Sequence, residues 1–154
     1  MPTVRSAVLE DCHNLAPNLR PADAAELRAF AGYEPLEGLV ESFKVSAQRY
    51  VIEHEGEVLT IFGASPSPHD PTCGLAWMMA STSLEDHSIW FLRNTYWMEK
   101  LVDDHYDWLF NFIDIRNEVH MKWLRWCGWE FGAVHENFGV EGRPFQEIYK
   151  FHNV

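Results

Sequence analysis

Residues 109–129 read LFNFIDIRNEVHMKWLRWCGW, and this stretch joins a strand pattern to a helix pattern. The apolar run Leu109–Ile115 is typical of a central strand that is buried on both faces. Asn117 is a favoured helix N-cap and Gly128 is favoured just past a helix C-terminus, so a helix is predicted over Asn117–Cys127. Strand–helix–strand steps need a crossover connection, and the stretch therefore predicts a sheet with some parallel pairing.

The rest of the chain supplies the other elements of this sheet. Alternating, β-branched or apolar runs predict further strands at Thr3–Leu9, Arg49–His54, Glu57–Gly63, Gly74–Ala80, Trp129–Glu136 and Phe145–His152. Amphipathic patterns predict helices at Ala22–Ala31, Leu36–Ala47 and, after a capping box at Ser83–Asp86, to about Asp104, with a short helical turn at Asp11–Ala16. We expect one α/β (α+β) domain over residues 1–154, with a mixed central sheet of six to seven strands flanked by about four helices.

Two connections and one thiol carry local signals. Glu55-Gly56 separates two strands by two residues, which suits a tight hairpin turn. The stretch Ser65–Pro71 is the most loop-like in the chain and predicts a surface excursion. Cys127 is expected to be a buried free thiol because of its position on a helix.

The composition is acidic: 12 Lys and Arg stand against 23 Asp and Glu, for a formal net charge of −11. The chain has no basic stripe to neutralise phosphates, so we expect neither nucleic acid nor a membrane as a partner. The three cysteines form no CxxC motif, which indicates a reducing compartment. No apolar run is long enough for a secretion signal or a membrane span, and we expect neither.

The strand–helix junction also carries a resemblance. Read with the element order of the whole chain, it resembles the GCN5-related N-acetyltransferase superfamily through Ile115-Arg-Asn117, Val119-His120, Leu124 and Cys127-Gly128-Trp129. The resemblance implies acetyl-coenzyme A as cofactor and a contact between Asn117 and its pantetheine arm. It also implies that the backbone of Met79, Ala80 and Ser81 splays from the next strand to receive pantetheine. The simpler interpretation treats Asn117 and Gly128 as an ordinary helix start and stop.

Two departures from the family pattern argue against an ordinary catalytic version of the fold. The family holds the cofactor diphosphate on a basic, glycine-rich turn, whereas residues 80–87 here contain no glycine, arginine or lysine. Glu85 and Asp86 would repel phosphates and would themselves satisfy the helix dipole. The family's usual general acid is a Tyr, and its position is taken by Leu124, which cannot transfer a proton. Because the whole chain is also acidic, we expect no cofactor to bind.

Three residues are candidates for proton transfer. His120 could be a replacement acid, although a lone His on a helix is more often structural. Asp23 and Glu26 share one helical face and could form a carboxylate pair with Glu26 as the base, although a solvated first turn is the simpler interpretation. The eight histidines are dispersed without metal-ligand spacing, and Asp103-Asp104-His105 is interpreted as a solvated helix end, so we expect no metal site.

A narrower resemblance is to small internal virion proteins of short-tailed phages, whose fold is itself a degenerate acetyltransferase fold. It rests on Leu15-Ala-Pro-Asn-Leu-Arg20, Ala22-Asp23, Glu26-Leu27, Asn117 with His120, Trp123-Leu124, Gly128 and the segment from Gly139 to Phe145. It implies a virion-associated or assembly protein, found in the virion or the host cytoplasm, that contacts other virion proteins or a host protein. The contact area would come from Trp90, Trp97, Trp123, Trp126 and Trp129. The alternatives are an active N-acetyltransferase and a host-directed inhibitor.

Overall fold

In the computed structural model, which describes residues 1–152, the chain forms seven strands and five helices. The strands are β1 (Thr3–Ser6), β2 (Gln48–His54), β3 (Glu57–Pro66), β4 (Cys73–Ala80), β5 (Trp108–Asp114), β6 (Glu130–Phe138) and β7 (Arg143–Phe151). The helices are α1 (Leu9–Leu15), α2 (Pro21–Ala31), α3 (Pro35–Val45), α4 (Ser88–Asp103) and α5 (Glu118–Trp126). Two 3₁₀ segments, Ala16–Asn18 and Thr82–His87, precede α2 and α4.

All seven strands belong to one sheet with the order β1-β2-β3-β4-β5-β7-β6. Every pairing is antiparallel except that between β4 and β5, because α4 carries the chain across from one to the other. The predicted single α+β domain with a mixed sheet is therefore confirmed. Five helices are present where about four were expected, because Leu9–Leu15 forms a full helix and not a single turn.

The core lies on both faces of this sheet. On one face, Cys12 and Leu15 of α1 and Leu39 of α3 pack against the central strands. On the other face, side chains from α4 and α5 pack against the sheet, among them Phe91 and Trp123. Burying one such large side chain contributes about 1.5–3 kcal/mol. None of the helices in the described part of the chain has the length and apolar character needed to cross a membrane.

The predicted hairpin at Glu55-Gly56 is confirmed. Both residues have positive φ, 49° and 79°, as a two-residue turn between right-twisted strands requires. The predicted loop starts later than expected, since β3 continues to Pro66. The first strand ends at Ser6 instead of Leu9, because the chain turns there into α1.

Three expectations about the helices are wrong. The predicted capping box at Ser83 does not start α4: Ser81 caps the 3₁₀ segment, and α4 begins at Ser88. Cys127 is only half-buried, whereas the other two cysteines are fully buried. Trp123 and Trp129 are core residues and do not provide contact surface. Trp123, on α5, packs beside Phe91, and Trp129, which follows α5, packs in the cluster that contains Leu109 and Ile148.

Candidate functional site

The parallel strands β4 and β5 separate in the middle of the sheet. They pair only where Cys73–Leu75 meets residues 108–110. Beyond that point β4 stays paired with β3, and β5 stays paired with β7. The Asn111 side-chain amide donates a hydrogen bond of 2.6 Å to the Ala76 carbonyl where the strands part. A gap in the sheet therefore opens towards the C-terminal ends of both strands.

A partly open cavity of about 150 Å³ lies at this gap. From one side of the sheet, α2 contributes Asp23, Glu26 and Leu27 to its lining. From the other side, α4 and α5 contribute mainly apolar side chains, among them Phe91, Met98, Leu124 and Cys127. The cavity is thus apolar within and carries carboxyl groups where it meets α2.

A buried polar cluster, Arg20–Asp23–Asn117, stands beside the gap. The Arg20 guanidinium is almost fully buried and donates to the Asp23 carboxylate at 3.1 Å and to the Asn117 carbonyl oxygen at 3.3 Å. Asn117 in turn donates its Nδ2 to Asp23 at 2.8 Å. Glu85 approaches the same guanidinium at 3.4 Å, and the Trp123 ring centroid lies 5.1 Å from it. Each side chain of the cluster is therefore hydrogen-bonded to another side chain of the cluster.

This cluster holds the end of β4. The Asp23 carboxylate accepts a hydrogen bond of 2.9 Å from the N–H of Ala80, and the N–H of Arg20 donates to the Ala80 carbonyl at 2.8 Å. The N–H of Ser81 donates to the Leu59 carbonyl, and the Met79 carbonyl accepts from the Thr60 hydroxyl. The backbone that the resemblance assigned to pantetheine is therefore hydrogen-bonded within the protein. Asn117 likewise turns its side chain to Asp23 and does not cap α5 with it.

The turn after β4 satisfies its own amides. The Ser81 hydroxyl accepts from the N–H of Ser83 at 3.1 Å, and the Ser81 carbonyl accepts from the N–H of Leu84 at 3.0 Å. An anion cradle needs backbone N–H groups that point outwards. In the described turn, these N–H groups are already used. Among residues 1–152, the cation that forms an ion pair with this turn is Arg20, which pairs with Glu85.

The expectation that Asp23 and Glu26 lie in a solvated first turn is wrong for Asp23, which is 4% exposed. Glu26 is half-buried and accepts a hydrogen bond of 2.9 Å from the N–H of Asp114. Burial, with repulsion from Asp23, raises the pKa of Glu26 to about 8. Glu26 is therefore a carboxyl group that keeps its proton near neutral pH.

His120 also faces the cavity. Its Nδ1 is buried and has no hydrogen-bond partner among residues 1–152. Burial lowers the pKa of this imidazole, so it is neutral at physiological pH. The fold thus brings both predicted proton-transfer candidates, Glu26 and His120, to one cavity.

Sequence reasoning missed two residues of this region. Arg20 had no predicted role beyond its part in a resemblance, yet Arg20 is the centre of the buried cluster. The one feature of the sequence that could have pointed to it is its position directly before Pro21, where α2 starts. Asp114 ends β5 and is almost fully buried beside Arg116, at 2.6 Å. The sequence signal for Asp114 is that it places a charged residue within the apolar strand pattern, directly before Ile115.

Solved structures with the same architecture are known. An N-acetyltransferase from Staphylococcus aureus Mu50 is 15% identical, with a TM-score of 0.75 over 99% of both chains. The Salmonella typhimurium protein yncA, solved with its cofactor acetyl-CoA, is 12% identical, with a TM-score of 0.74 over 99% of this chain and 94% of that one. A phosphinothricin acetyltransferase of the GNAT superfamily from Sinorhizobium meliloti, in complex with AcCoA, is 15% identical, with a TM-score of 0.74 over 99% and 89%.

These likenesses define the class of fold. The chain has the fold of the GCN5-related N-acetyltransferases, which confirms the fold that the resemblance at the strand–helix junction implied. No protein-family model matches the chain. No curated protein matches its sequence either.

Proposed function

We propose that this chain uses the acetyltransferase fold as a binding scaffold and does not turn over acetyl-coenzyme A. The observation that carries this proposal is the pair of hydrogen bonds that Asp23 and Arg20 make to the Ala80 backbone. Pantetheine could pair with that backbone only by displacing these two hydrogen bonds, one of them to a buried carboxylate. A hydrogen bond to a charged group contributes about 1.5–3 kcal/mol. Cofactor affinity would therefore fall by roughly tenfold or more.

The turn after β4 supports the same conclusion. Its N–H groups at Ser83 and Leu84 are bonded to Ser81 and do not offer an anion cradle. The exposed carboxylate of Glu85 stands beside Arg20, the cation that would otherwise attract a diphosphate. Both the shape and the charge of this turn thus oppose coenzyme binding.

A second surface offers contact area for a partner. On α4 and α5, the side chains of Ile89, Tyr96, Trp97 and Trp126 are exposed, and we call them the aromatic face. Trp126 lies across α4, where its Nε1 donates to the Leu92 carbonyl. Aromatic side chains are enriched in protein interfaces. In keeping with the narrower phage resemblance, we propose that a virion or assembly protein docks here.

Calorimetry tests the absence of cofactor binding. Acetyl-coenzyme A is titrated into the protein, with an active acetyltransferase of the same fold as a positive control. We expect no saturable binding to the wild type below millimolar concentration. Saturable binding at micromolar concentration, at one molecule per chain, would overturn the proposal.

The partner is tested separately, in phage particles purified from cells that express the tagged chain. We expect the wild type to be incorporated and Trp126→Ser to be lost from the particles. Val45→Ser changes an equally exposed apolar residue outside the aromatic face and is the matched control. Absence of the wild type from purified particles would refute the virion role. Capture of a basic host protein instead would favour the host-directed inhibitor.

The second candidate function is an active N-acetyltransferase. The observation that favours it is the cavity between β4 and β5, where Glu26 and the neutral His120 face the same space. Release of free thiol from acetyl-coenzyme A, dependent on an acceptor amine, would support it. In that case the activity is lost in Glu26→Gln and kept in the exposed control Glu37→Gln. No release with a broad panel of amines counts against it.

A further inference from the structure

Three metal-ligating side chains meet where the end of α4 lies beside the end of β7. One ligand atom from each of Asp103, Asp104 and His152 lies within 4.8 Å of the other two. The Nε2 of His152 is 3.0 Å from the Asp104 Oδ1 and 3.7 Å from the Asp103 Oδ2. Ligand atoms about 2.0–2.2 Å from a zinc ion stand roughly 3–3.6 Å apart, so only small shifts are needed to bind one.

Asp103 provides the second, independent observation. Its residue is 4% exposed, and its Oδ1 is buried with no hydrogen-bond partner among the described residues. A buried carboxylate oxygen without a donor is costly and rare in folded proteins. The oxygen of this carboxylate that lies 3.7 Å from the His152 Nε2 is Oδ2, so a cation bound by both oxygens would supply the missing partner of Oδ1.

Neighbouring residues position the proposed ligands, and a nearby lysine competes with a metal ion for one of them. The N–H of His152 donates to the Asp107 carbonyl at 2.9 Å, which fixes the backbone of this residue beside the loop that follows α4. The C-terminus of α4 favours a positive charge. Lys100 lies 3.4 Å from Asp104, and Lys150 is bonded to Glu99 nearby, so a cation must outcompete Lys100 for one oxygen of Asp104.

We propose that Asp103, Asp104 and His152 bind one zinc ion, with water completing its coordination. One imidazole nitrogen with two carboxylates is a donor set that suits zinc better than magnesium. The ion would join the end of α4 to the end of β7, two elements that are otherwise linked here by ion pairs. This role is structural, and it is independent of the cavity between β4 and β5.

No local sequence motif marks this site. His105 is the histidine next to the two aspartates in the sequence. In the folded protein, the histidine that lies beside them is His152. His105 is exposed and is absent from the cluster, so it provides a matched histidine control.

Calorimetric titration of Zn²⁺ into tag-free protein tests the proposal. We expect one equivalent to bind the wild type, at least tenfold weaker binding in His152→Gln and Asp103→Asn, and unchanged binding in His105→Gln. Mg²⁺ is expected to bind at least a hundredfold more weakly than Zn²⁺. Saturating Zn²⁺ should raise the Tm of the wild type and of His105→Gln but not that of His152→Gln. Equal Zn²⁺ affinity in the wild type and His152→Gln, or no stoichiometric binding below millimolar concentration, would overturn the proposal.

Discussion

The Asp23 carboxylate accepts a hydrogen bond of 2.9 Å from the N–H of Ala80, and this contact fastens the first turn of α2 to the end of β4. The same carboxylate receives hydrogen bonds from Arg20 and Asn117. β4 and β5 part after Leu75, and this contact lies at the end of β4, five residues further on. The protein therefore satisfies both backbone groups of Ala80 from within, through the Asp23 carboxylate and the N–H of Arg20.

Removal of Asp23 should be strongly destabilising. Asp23→Ala leaves the buried Arg20 without its main counter-charge and the Ala80 N–H without an acceptor. We expect a loss of about 3–5 kcal/mol in the free energy of unfolding. Urea denaturation measures it. The control Asp107→Ala changes an exposed carboxylate and should stay within about 0.5 kcal/mol. Equal stability of the two variants would show that the cluster does not hold α2 on β4.

Glu26 should make stability fall as the pH rises. Its pKa is about 8 in the folded protein, above the ordinary value of 4.5, so the folded state holds a proton that the unfolded state releases. Its stabilising contribution is complete below pH 4.5 and is lost as the pH rises towards 8. Unfolding free energies of the wild type and Glu26→Gln are measured between pH 5 and 8. We expect the difference to shift in favour of the variant across this range, and a constant difference would contradict the raised pKa.

Truncation of two tryptophans on α5 should lower the free energy of unfolding by very different amounts. Trp123 is 7% exposed and packs beside the Phe91 ring in a tilted arrangement, so Trp123→Ala should cost about 3–5 kcal/mol. Trp126 is 65% exposed, and Trp126→Ala should cost about 0.5 kcal/mol or less. Thermal and urea denaturation compare them. A large loss in Trp126→Ala would mean that the aromatic face is part of the core and is not available to a partner.

The three cysteines should be slow to react. Burial raises the pKa of the Cys12 and Cys127 thiols to about 11 and also raises that of Cys73. A thiol of pKa 11 is only about one part in ten thousand thiolate at pH 7. We expect labelling by a disulfide reagent to be at least tenfold slower in the native protein than in urea. Rapid labelling of any one cysteine in the native protein would contradict these shifts.

Much of the fold was predictable because it follows from short-range patterns. The apolar run at Leu109–Ile115, followed by Asn117 and Gly128, marks a strand and a helix by local chemistry alone. The positive φ values at Glu55 and Gly56 likewise follow from a two-residue hairpin. Element boundaries were less certain: the start of α4 was misplaced because Ser81, and not Ser83, caps the turn before it.

The sequence by itself determined the class of fold, the acidic charge and the glycine-free turn after β4, since periodicity, composition and turn residues are local properties of the chain. Only the tertiary structure decided that Arg20 and Asn117 meet across 97 positions, and that His152 reaches Asp104. Such contacts depend on how distant segments pack, and burial then changes the chemistry of each group. On a solvent-exposed helix the Asp23 carboxylate would be hydrated. In the protein interior it instead accepts hydrogen bonds from the Arg20 guanidinium and the N–H of Ala80.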